Sequence, residues 1–269
     1  RDEEEKYAKK HGIGIKSKQS NYSIDQNIWG RSIEGGEIYD TEKEPPQDIF
    51  EWTTPLEKTL DNPGYIKIGF ENGLPMSIDG TDMELVQIIK HLNYFAGIHG
   101  VGVIDHIEDR VIGIKSRELY ECPAAVCIIE SHSDLEKLVL TRHELSFKTM
   151  VDTQWAWLVY SGLWIEPLRN DLQSFIESTQ RKVTGEVTLK LYKGGMRVVG
   201  RSSPISLYSE KLATYDSWST FDQKDAEGFI NLWSLPSRQA MGSSRKAERT
   251  PSQKKLSRPK KLIVRDKGV

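Results

Sequence analysis

The stretch TGEVTLKLYKGGMRVVGRSS, residues 184–203, constrains the fold more than any other part of the sequence. Val187, Leu189 and Leu191 alternate with polar residues, which is the period of a strand with one buried face. The Gly194-Gly195 pair supplies a tight turn between this run and the next one. The sequence therefore predicts an antiparallel hairpin in this part of the chain.

A second hairpin and an amphipathic helix are predicted earlier. YIKIGF at 65–70 alternates, ENG at 71–73 forms a turn, and LPMSIDG resumes the strand pattern. From Thr81 to about His99, apolar residues recur at helical spacing, and Thr81 with Glu84 fits a capping box. We expect the apolar stripe of this helix to lie in the core.

The remaining segments complete an α+β pattern. A pair of short strands is predicted over 101–115, on either side of Asp109, and a long irregular segment runs from Ser17 to about Pro55. Helical patterns cover residues 2–11, 123–139, 141–161, 167–182 and 222–233. Strands thus come in hairpins with a block of helices between them, so the predicted fold class is α+β with antiparallel sheet, not a parallel βαβ series.

Charge separates a predicted tail from the rest of the chain. The net charge of the 269 residues is −2, but residues 241–269 contain ten Lys or Arg against two acids, a net +8 that leaves −10 elsewhere. This tail is also rich in Ser and Pro, which predicts disorder. We therefore divide the chain into a domain at 1–238 and a basic, disordered tail at 239–269. The tail has no aromatic residue for base stacking, so nucleic-acid binding is not expected.

Composition argues against several classes of protein. No apolar run is long enough to cross a bilayer, and no secretory signal is visible at the start of the sequence. The two cysteines, Cys122 and Cys127, have no partner at the spacing of a zinc site, so no metal is expected. We interpret them as small thiols in a reducing compartment.

Two polar stretches are candidates for a binding site. They are NYSIDQNIWGRSIEGGE at 21–37 and EDRVIGIKSRELYE at 108–121. In the second, a strand at 111–115 is expected to deliver Lys115, Ser116, Arg117 and Tyr120 to one place. Hydroxyls and a carboxylate can hold an amino-acid zwitterion without a metal. The alternative from the residues alone is a set of loop turns and a solvated sheet edge.

Four segments in order resemble one family, argininosuccinate synthase, over about residues 1–238. The segments are NYSIDQNIWGRSIEGGEI, FENGLPMSIDG, AGIHGVGVIDHIEDRVIGIKSRELYE and KLYKGGMRVVGRSSPISLY with DQKDAEGFINLWSL. The resemblance is to the C-terminal synthetase and multimerisation part of the family. It implies the α+β fold of that part.

The resemblance also implies a reaction. The family joins citrulline to aspartate with ATP, through a citrullyl-adenylate, in arginine biosynthesis and the urea cycle. The family's ATP-binding loop, of SGGxD(T)S type, and its Gly-Asn-Asp aspartate segment do not occur in this sequence, which also does not begin with Met. We therefore expect a fragment that supplies a citrulline half-site and is inactive alone, with ATP and its magnesium required only by the full enzyme.

Position by position, the resemblance assigns four citrulline-binding residues. Ser23 lies in the YSID segment and Ser32 in GRS, nine residues further on. Glu108 occupies the family's V-E-N-R turn, and Tyr120 follows twelve residues later in the Y-E-T-P segment. The implied roles are a carboxylate for the α-ammonium and hydroxyls that orient the side chain of citrulline. No catalytic residue and no metal ligand is assigned to this chain.

The sequence departs from the family pattern close to these residues. Asp109 replaces Asn, Glu118 replaces Gly, Cys122 replaces Thr, and Ala124 begins a segment that is often Gly-Gly-Thr. A second carboxylate near Glu108 disfavours an anionic partner. The departures leave open a divergent ligase with another ureido or amino-acid substrate.

The resemblance further implies a cytoplasmic homotetramer. The predicted helices over 141–182 carry Trp155, Trp157, Trp164 and Phe175, which pack in a core by default and indicate subunit contacts if they are exposed. A third interpretation of the chain is therefore a non-catalytic oligomerisation module.

Overall fold

The computed structural model describes residues 2–14, 21–216 and 218–249. The chain divides into two units, residues 1–209 and 210–269. Antiparallel sheets and helices build the first unit, which confirms the predicted α+β class. None of the helices in the described residues has the length and apolar content to cross a membrane.

A five-stranded antiparallel sheet, in the order β5-β4-β3-β8-β9, holds the main core. Its strands are β3 Gly64–Glu71, β4 Leu74–Ile78, β5 Thr81–Asp82, β8 Gly185–Tyr192 and β9 Gly195–Ser202. Val187, Leu189 and Leu191 are completely buried, as their alternation predicts. Ile66 lies opposite Leu189 and Ile68 opposite Val187, so the central pair of strands buries its aliphatic residues together.

Both predicted hairpins of this sheet form, with two-residue turns. Asn72 and Gly73 have φ of 49° and 83°, and Lys193 and Gly194 have φ of 47° and 75°. Positive φ at both central residues matches the right-handed twist of the flanking strands. The second turn lies one residue earlier than predicted, because Gly195 already pairs with Tyr192 as the first residue of β9.

Helices α2 Leu85–Ile98 and α3 Pro123–Val139 pack on this sheet. Ile88, Ile89 and Leu92 of α2 are buried, as predicted. The predicted capping box at Thr81 is wrong, because Thr81 pairs with Ile78 in β5 and the helix begins after Glu84.

Two further helices, α4 Arg142–Tyr160 and α5 Pro167–Gln180, follow within two residues of their predicted bounds. Thr141 accepts a hydrogen bond from the Glu144 backbone N–H, and the Glu144 carboxylate accepts one from the Thr141 N–H. This reciprocal pair satisfies two of the free N–H groups that every helix start leaves.

A four-stranded sheet in the order β1-β2-β7-β6 forms the other part of residues 1–209. Its strands are β1 Tyr22–Gln26, β2 Arg31–Gly35, β6 Val103–Asp109 and β7 Lys115–Glu121. Ile33, Ile38, Ile49 and Leu119 form a separate small core under one face. The segment that the sequence indicates as irregular, Ser17 to Pro55, therefore contains a hairpin.

The strand predicted at 111–115 is wrong over most of its length. Residues 110–114 form the turn between β6 and β7, closed by a 2.9 Å hydrogen bond from the Arg110 N–H to the Ile114 carbonyl. Gly113 has a φ of 82°, which this turn requires and an ordinary strand does not allow. Val111, Ile112 and Ile114 are exposed, so the apolar run at these positions does not correspond to a buried strand.

The remaining helices are short or terminal. Helix α1 covers Asp2–Lys10, close to the prediction of 2–11. The unit at 210–269 contains α6 Glu210–Ala213, α7 Asp225–Trp233 and α8 Leu235–Arg249, of which α7 matches the helix predicted at 222–233. Residues 239–249 of the predicted tail lie in α8. The rest of the tail is outside the described residues, and the boundary at 238 stays a prediction.

Candidate functional site

The four-stranded sheet places all four candidate residues on one face. Ser32 of β2 lies opposite Tyr120 of β7, and Ser23 of β1 lies two residues from Asp25, which is opposite Ser32. Glu108 of β6 is opposite Ser116, four residues before Tyr120. Since side chains on one strand alternate between faces, these positions point to the same side. We call this side the polar face.

A tyrosine hydroxyl between two carboxylates forms the centre of the polar face. The Tyr120 hydroxyl lies 2.6 Å from Glu108 Oε2 and 2.8 Å from Glu118 Oε2. Glu118 Oε1 also accepts a 3.4 Å hydrogen bond from Ser116. All four side chains are partly buried, so a ligand can reach them while bulk water is partly excluded.

Burial raises the pKa of Tyr120 far above its usual value, and the hydrogen bonds to Glu108 and Glu118 raise it further. Two neighbouring carboxylates disfavour a phenolate, because like charges repel. The hydroxyl therefore keeps its proton at neutral pH and acts as a donor.

The two serines extend the site across the sheet. Ser32 is partly buried and directly beside Tyr120, whereas Ser23 is exposed and opposite Glu34 on the same face. Among the described residues, neither serine side chain makes a hydrogen bond to the protein. Each hydroxyl can thus serve a ligand as donor and acceptor.

The opposite face of this sheet is fixed by a buried ion pair that sequence reasoning missed. Arg31 Nη1 lies 2.8 Å from Glu121 Oε2, and the two side chains are 2% and 0% exposed. The Glu121 carboxylate also accepts the backbone N–H groups of residues 51–53 at 2.7–3.0 Å. Since Tyr120 was assigned to the ligand side, alternation alone could have assigned Glu121 to the interior.

Arg117 likewise lies on the interior side, so the expectation that it joins Ser116 and Tyr120 is wrong. It pairs with Asp105 across the hairpin at 2.5–2.9 Å. Its Nη1 also donates to the Asp40 and Lys43 carbonyl oxygens at 2.8 and 3.1 Å. Lys115 lies two residues before Arg117 in β7, on the same face, and pairs with Asp109. Their role in this structure is to secure the loop and the hairpin.

The cavities of about 600 and 550 Å³ are lined by residues other than the four candidates. One of about 600 Å³ adjoins the β1–β2 turn and is lined by Gln26, Asn27, Ile28, Glu51, Trp52, Lys90, Asn93 and Tyr94. No group of three or more His, Cys, Asp or Glu among the described residues has the arrangement of a metal site.

Comparison with known proteins gives a consistent result. The family model for the arginosuccinate synthase C-terminal domain matches residues 22–240. Argininosuccinate synthase of Pyrococcus furiosus is 58% identical over 237 residues, which are 88% of this chain and 57% of that protein. The enzymes of Rubrobacter xylanophilus and Bacillus pumilus are 56% and 52% identical over 239 residues each, covering 88% of this chain.

The chain spans less than two thirds of these relatives, 57–59% of their length. The matched residues contain all four strands of the polar face and its candidate residues. Because the family model covers most of the sequence, the chain belongs to the argininosuccinate synthase family.

Proposed function

We propose that this chain contributes the citrulline-binding part of an argininosuccinate synthase. The observation that carries the proposal is the common position of Ser23, Ser32, Glu108 and Tyr120 on the polar face, with Tyr120 hydrogen-bonded to Glu108 at 2.6 Å. These are the residues that the family resemblance assigns to citrulline.

The chemistry of the polar face fits that ligand. The α-ammonium of citrulline needs a carboxylate, and Glu108 supplies one at the edge of the sheet. The ureido side chain is neutral, so hydroxyl groups such as those of Ser23 and Ser32 orient it by hydrogen bonds. Orientation matters because a ureido oxygen is a weak nucleophile, and holding it in place lowers the entropic part of the barrier.

In the proposed reaction, that oxygen attacks the α-phosphorus of ATP, which releases pyrophosphate and leaves a citrullyl-adenylate. The amine of aspartate then displaces AMP. This sequence has no SGGxD(T)S loop, so we propose that the chain binds citrulline but does not form the adenylate by itself. ATP, with its magnesium, and aspartate are substrates that require further segments of the kind found in the relatives.

Isothermal titration of L-citrulline into the purified chain tests the proposal. We expect measurable binding that Glu108→Gln abolishes. A matched control is Glu186→Gln, which removes the same charge from a partly exposed position of β8, where Glu186 pairs with Lys67, and is expected to leave binding unchanged. A folded chain that binds no citrulline, or that binds another ureido or amino acid instead, contradicts the proposal; the second result favours a divergent ligase.

Exposed aromatic residues favour a second role, self-association into a homotetramer. Trp157 and Trp164 are 51% and 57% exposed, and Ile165 beside them is 90% exposed. Trp155 and Phe175 are only partly buried. In the unit at 210–269, α7 exposes Phe229, Ile230, Leu232 and Trp233. Large exposed apolar surfaces are typical of interaction sites.

Light scattering after size-exclusion chromatography tests this second role. We expect an oligomer for the wild-type chain and a smaller species for Trp157→Ser with Trp164→Ser. Trp52→Ser, at the 600 Å³ cavity, is the control for loss of a tryptophan outside these helices. A wild-type monomer at high protein concentration contradicts the proposal, whatever the result with citrulline.

A further inference from the structure

The Tyr120 hydroxyl has one proton but faces two carboxylate acceptors. A phenol has a single O–H and donates to one acceptor at a time. Two carboxylate oxygens, of Glu108 and Glu118, lie within 2.8 Å of that one oxygen. When both carboxylates are ionised, only one of them can accept the Tyr120 proton at a time. The other carboxylate then lies close to the phenol oxygen with no proton between them, which is repulsive.

Cations near this pair are already engaged elsewhere. Lys115 pairs with Asp109 at 2.6 Å, and Arg110 pairs with Glu34 at 3.4 Å. Within the described residues, no lysine or arginine forms an ion pair with Glu108 or Glu118. His106 is the cross-strand neighbour of Glu118, and it is exposed to solvent. In the part of the chain that the structure describes, the two carboxylates therefore have no lysine or arginine as a counter-ion.

We propose that Glu118 is a specificity-determining residue, a second carboxylate that faces the ligand and selects amino acids with a free ammonium group. The inference rests on the proposed function and adds to it. The Glu108 carboxylate has two acceptor oxygens, and because Oε2 lies 2.6 Å from the Tyr120 hydroxyl, Oε1 is the one it offers to the ammonium. Glu118 supplies the additional acceptor close to the same point.

An ammonium group is well suited to this gap, since it carries one positive charge and three N–H donors. It can contact both carboxylates and reduce their mutual repulsion, which is strong at short distance in a partly dehydrated place. An N-acylated amino acid has no such charge and leaves the repulsion in place. The pair thus discriminates between free and acylated amino acids, and it disfavours anionic ligands.

The test compares L-citrulline with Nα-acetyl-L-citrulline by titration into the full chain. For the wild type we expect citrulline to bind at least about tenfold more tightly than the acetylated form. In Glu118→Gln, which keeps the size of the side chain, the affinity for citrulline falls about tenfold while that for the acetylated form is unchanged or rises. Glu118→Asp retains part of the preference, and Glu186→Gln retains all of it.

An equal loss of affinity for both ligands in Glu118→Gln would mean that Glu118 only supports the shape of the site. That result overturns the inference and leaves the proposed citrulline site standing. A wild-type chain that binds neither ligand overturns both proposals together.

Discussion

Different interactions stabilise each of the two antiparallel sheets of residues 1–209. The five-stranded sheet buries aliphatic side chains on one face, with Val187, Leu189 and Leu191 all completely inaccessible. The four-stranded sheet has only a small apolar cluster and depends on a buried Arg31–Glu121 pair and its hydrogen bonds to the chain. The difference shows that one domain combines a sheet packed on a large apolar core with a sheet that keeps a polar face.

This comparison predicts that a single charged residue matters more to the small sheet than any one aliphatic residue. Glu121→Ala leaves the Arg31 guanidinium buried without its partner and removes the acceptor of the N–H groups of residues 51–53. We expect a loss of about 3–5 kcal/mol in the free energy of unfolding, measured in urea. Glu34→Ala, on the polar face of the same sheet, is the control and changes it by less than about 1 kcal/mol. A small effect of Glu121→Ala would show that loop contacts alone hold the sheet.

In the large sheet, the corresponding test is a substitution that leaves a cavity in the core. Leu189→Ala removes three carbon atoms from a completely buried position opposite Ile66. The expected loss is about 2–4 kcal/mol, from lost burial and the cavity that remains. Ile104→Ala serves as the control. Ile104 lies on the polar face of the small sheet and is 41% exposed, so we expect its truncation to cost less than about 1 kcal/mol. Equal losses for the two variants would remove the distinction between the sheets.

We expect the smallest change in the free energy of unfolding for a substitution of Glu144, in the first turn of α4. The hydrogen bond from Lys182 and the backbone N–H of Thr141 lower the pKa of Glu144 to about 2, from an ordinary value of 4.5. Because the pKa is lower in the folded state, the carboxylate stabilises the fold above about pH 4.5, and this contribution is lost as the pH falls through about 2.

Glu144→Gln should therefore cost about 1 kcal/mol at neutral pH, after allowance for solvent screening. The difference from the wild type should shrink between pH 4.5 and 2, in thermal unfolding followed by circular dichroism. Glu177→Gln, on the exposed side of α5, is expected to differ little from the wild type at either pH. A difference for Glu144→Gln that is independent of pH would point to the helix cap alone.

The comparison of the sheets also explains which elements the sequence predicts. The large sheet obeys simple alternation, because one face is apolar throughout, and its hairpins have Asn-Gly and Lys-Gly at the turns. Strands β1 and β2 are polar on one face and short, so composition alone indicates a loop. The turn at 110–114 shows the reverse error, because Val111, Ile112 and Ile114 are apolar and yet exposed.

The site was predictable only in part. Residue types and spacing in the family pattern assign Ser23, Ser32, Glu108 and Tyr120, but those spacings do not reveal that β1, β2, β6 and β7 form one sheet. That follows from pairings such as Ser32 with Tyr120, which are distant in sequence. The contact of Glu118 with the Tyr120 hydroxyl likewise requires the structure, since alternation gives only the face and not the distance.

The pairing of β2 with β7 has a consequence for the order of folding. Residues 31–33 must meet residues 119–121, so this contact closes a loop that contains the first three strands of the large sheet and helix α2. Contacts of long sequence separation form slowly, because the entropy of the loop is lost before the contact stabilises the chain. Hairpins such as β8–β9 close locally. The polar face is thus expected to form late in folding, and mutations far from any ligand that slow the closure of this loop would reduce the yield of competent protein without changing its affinity.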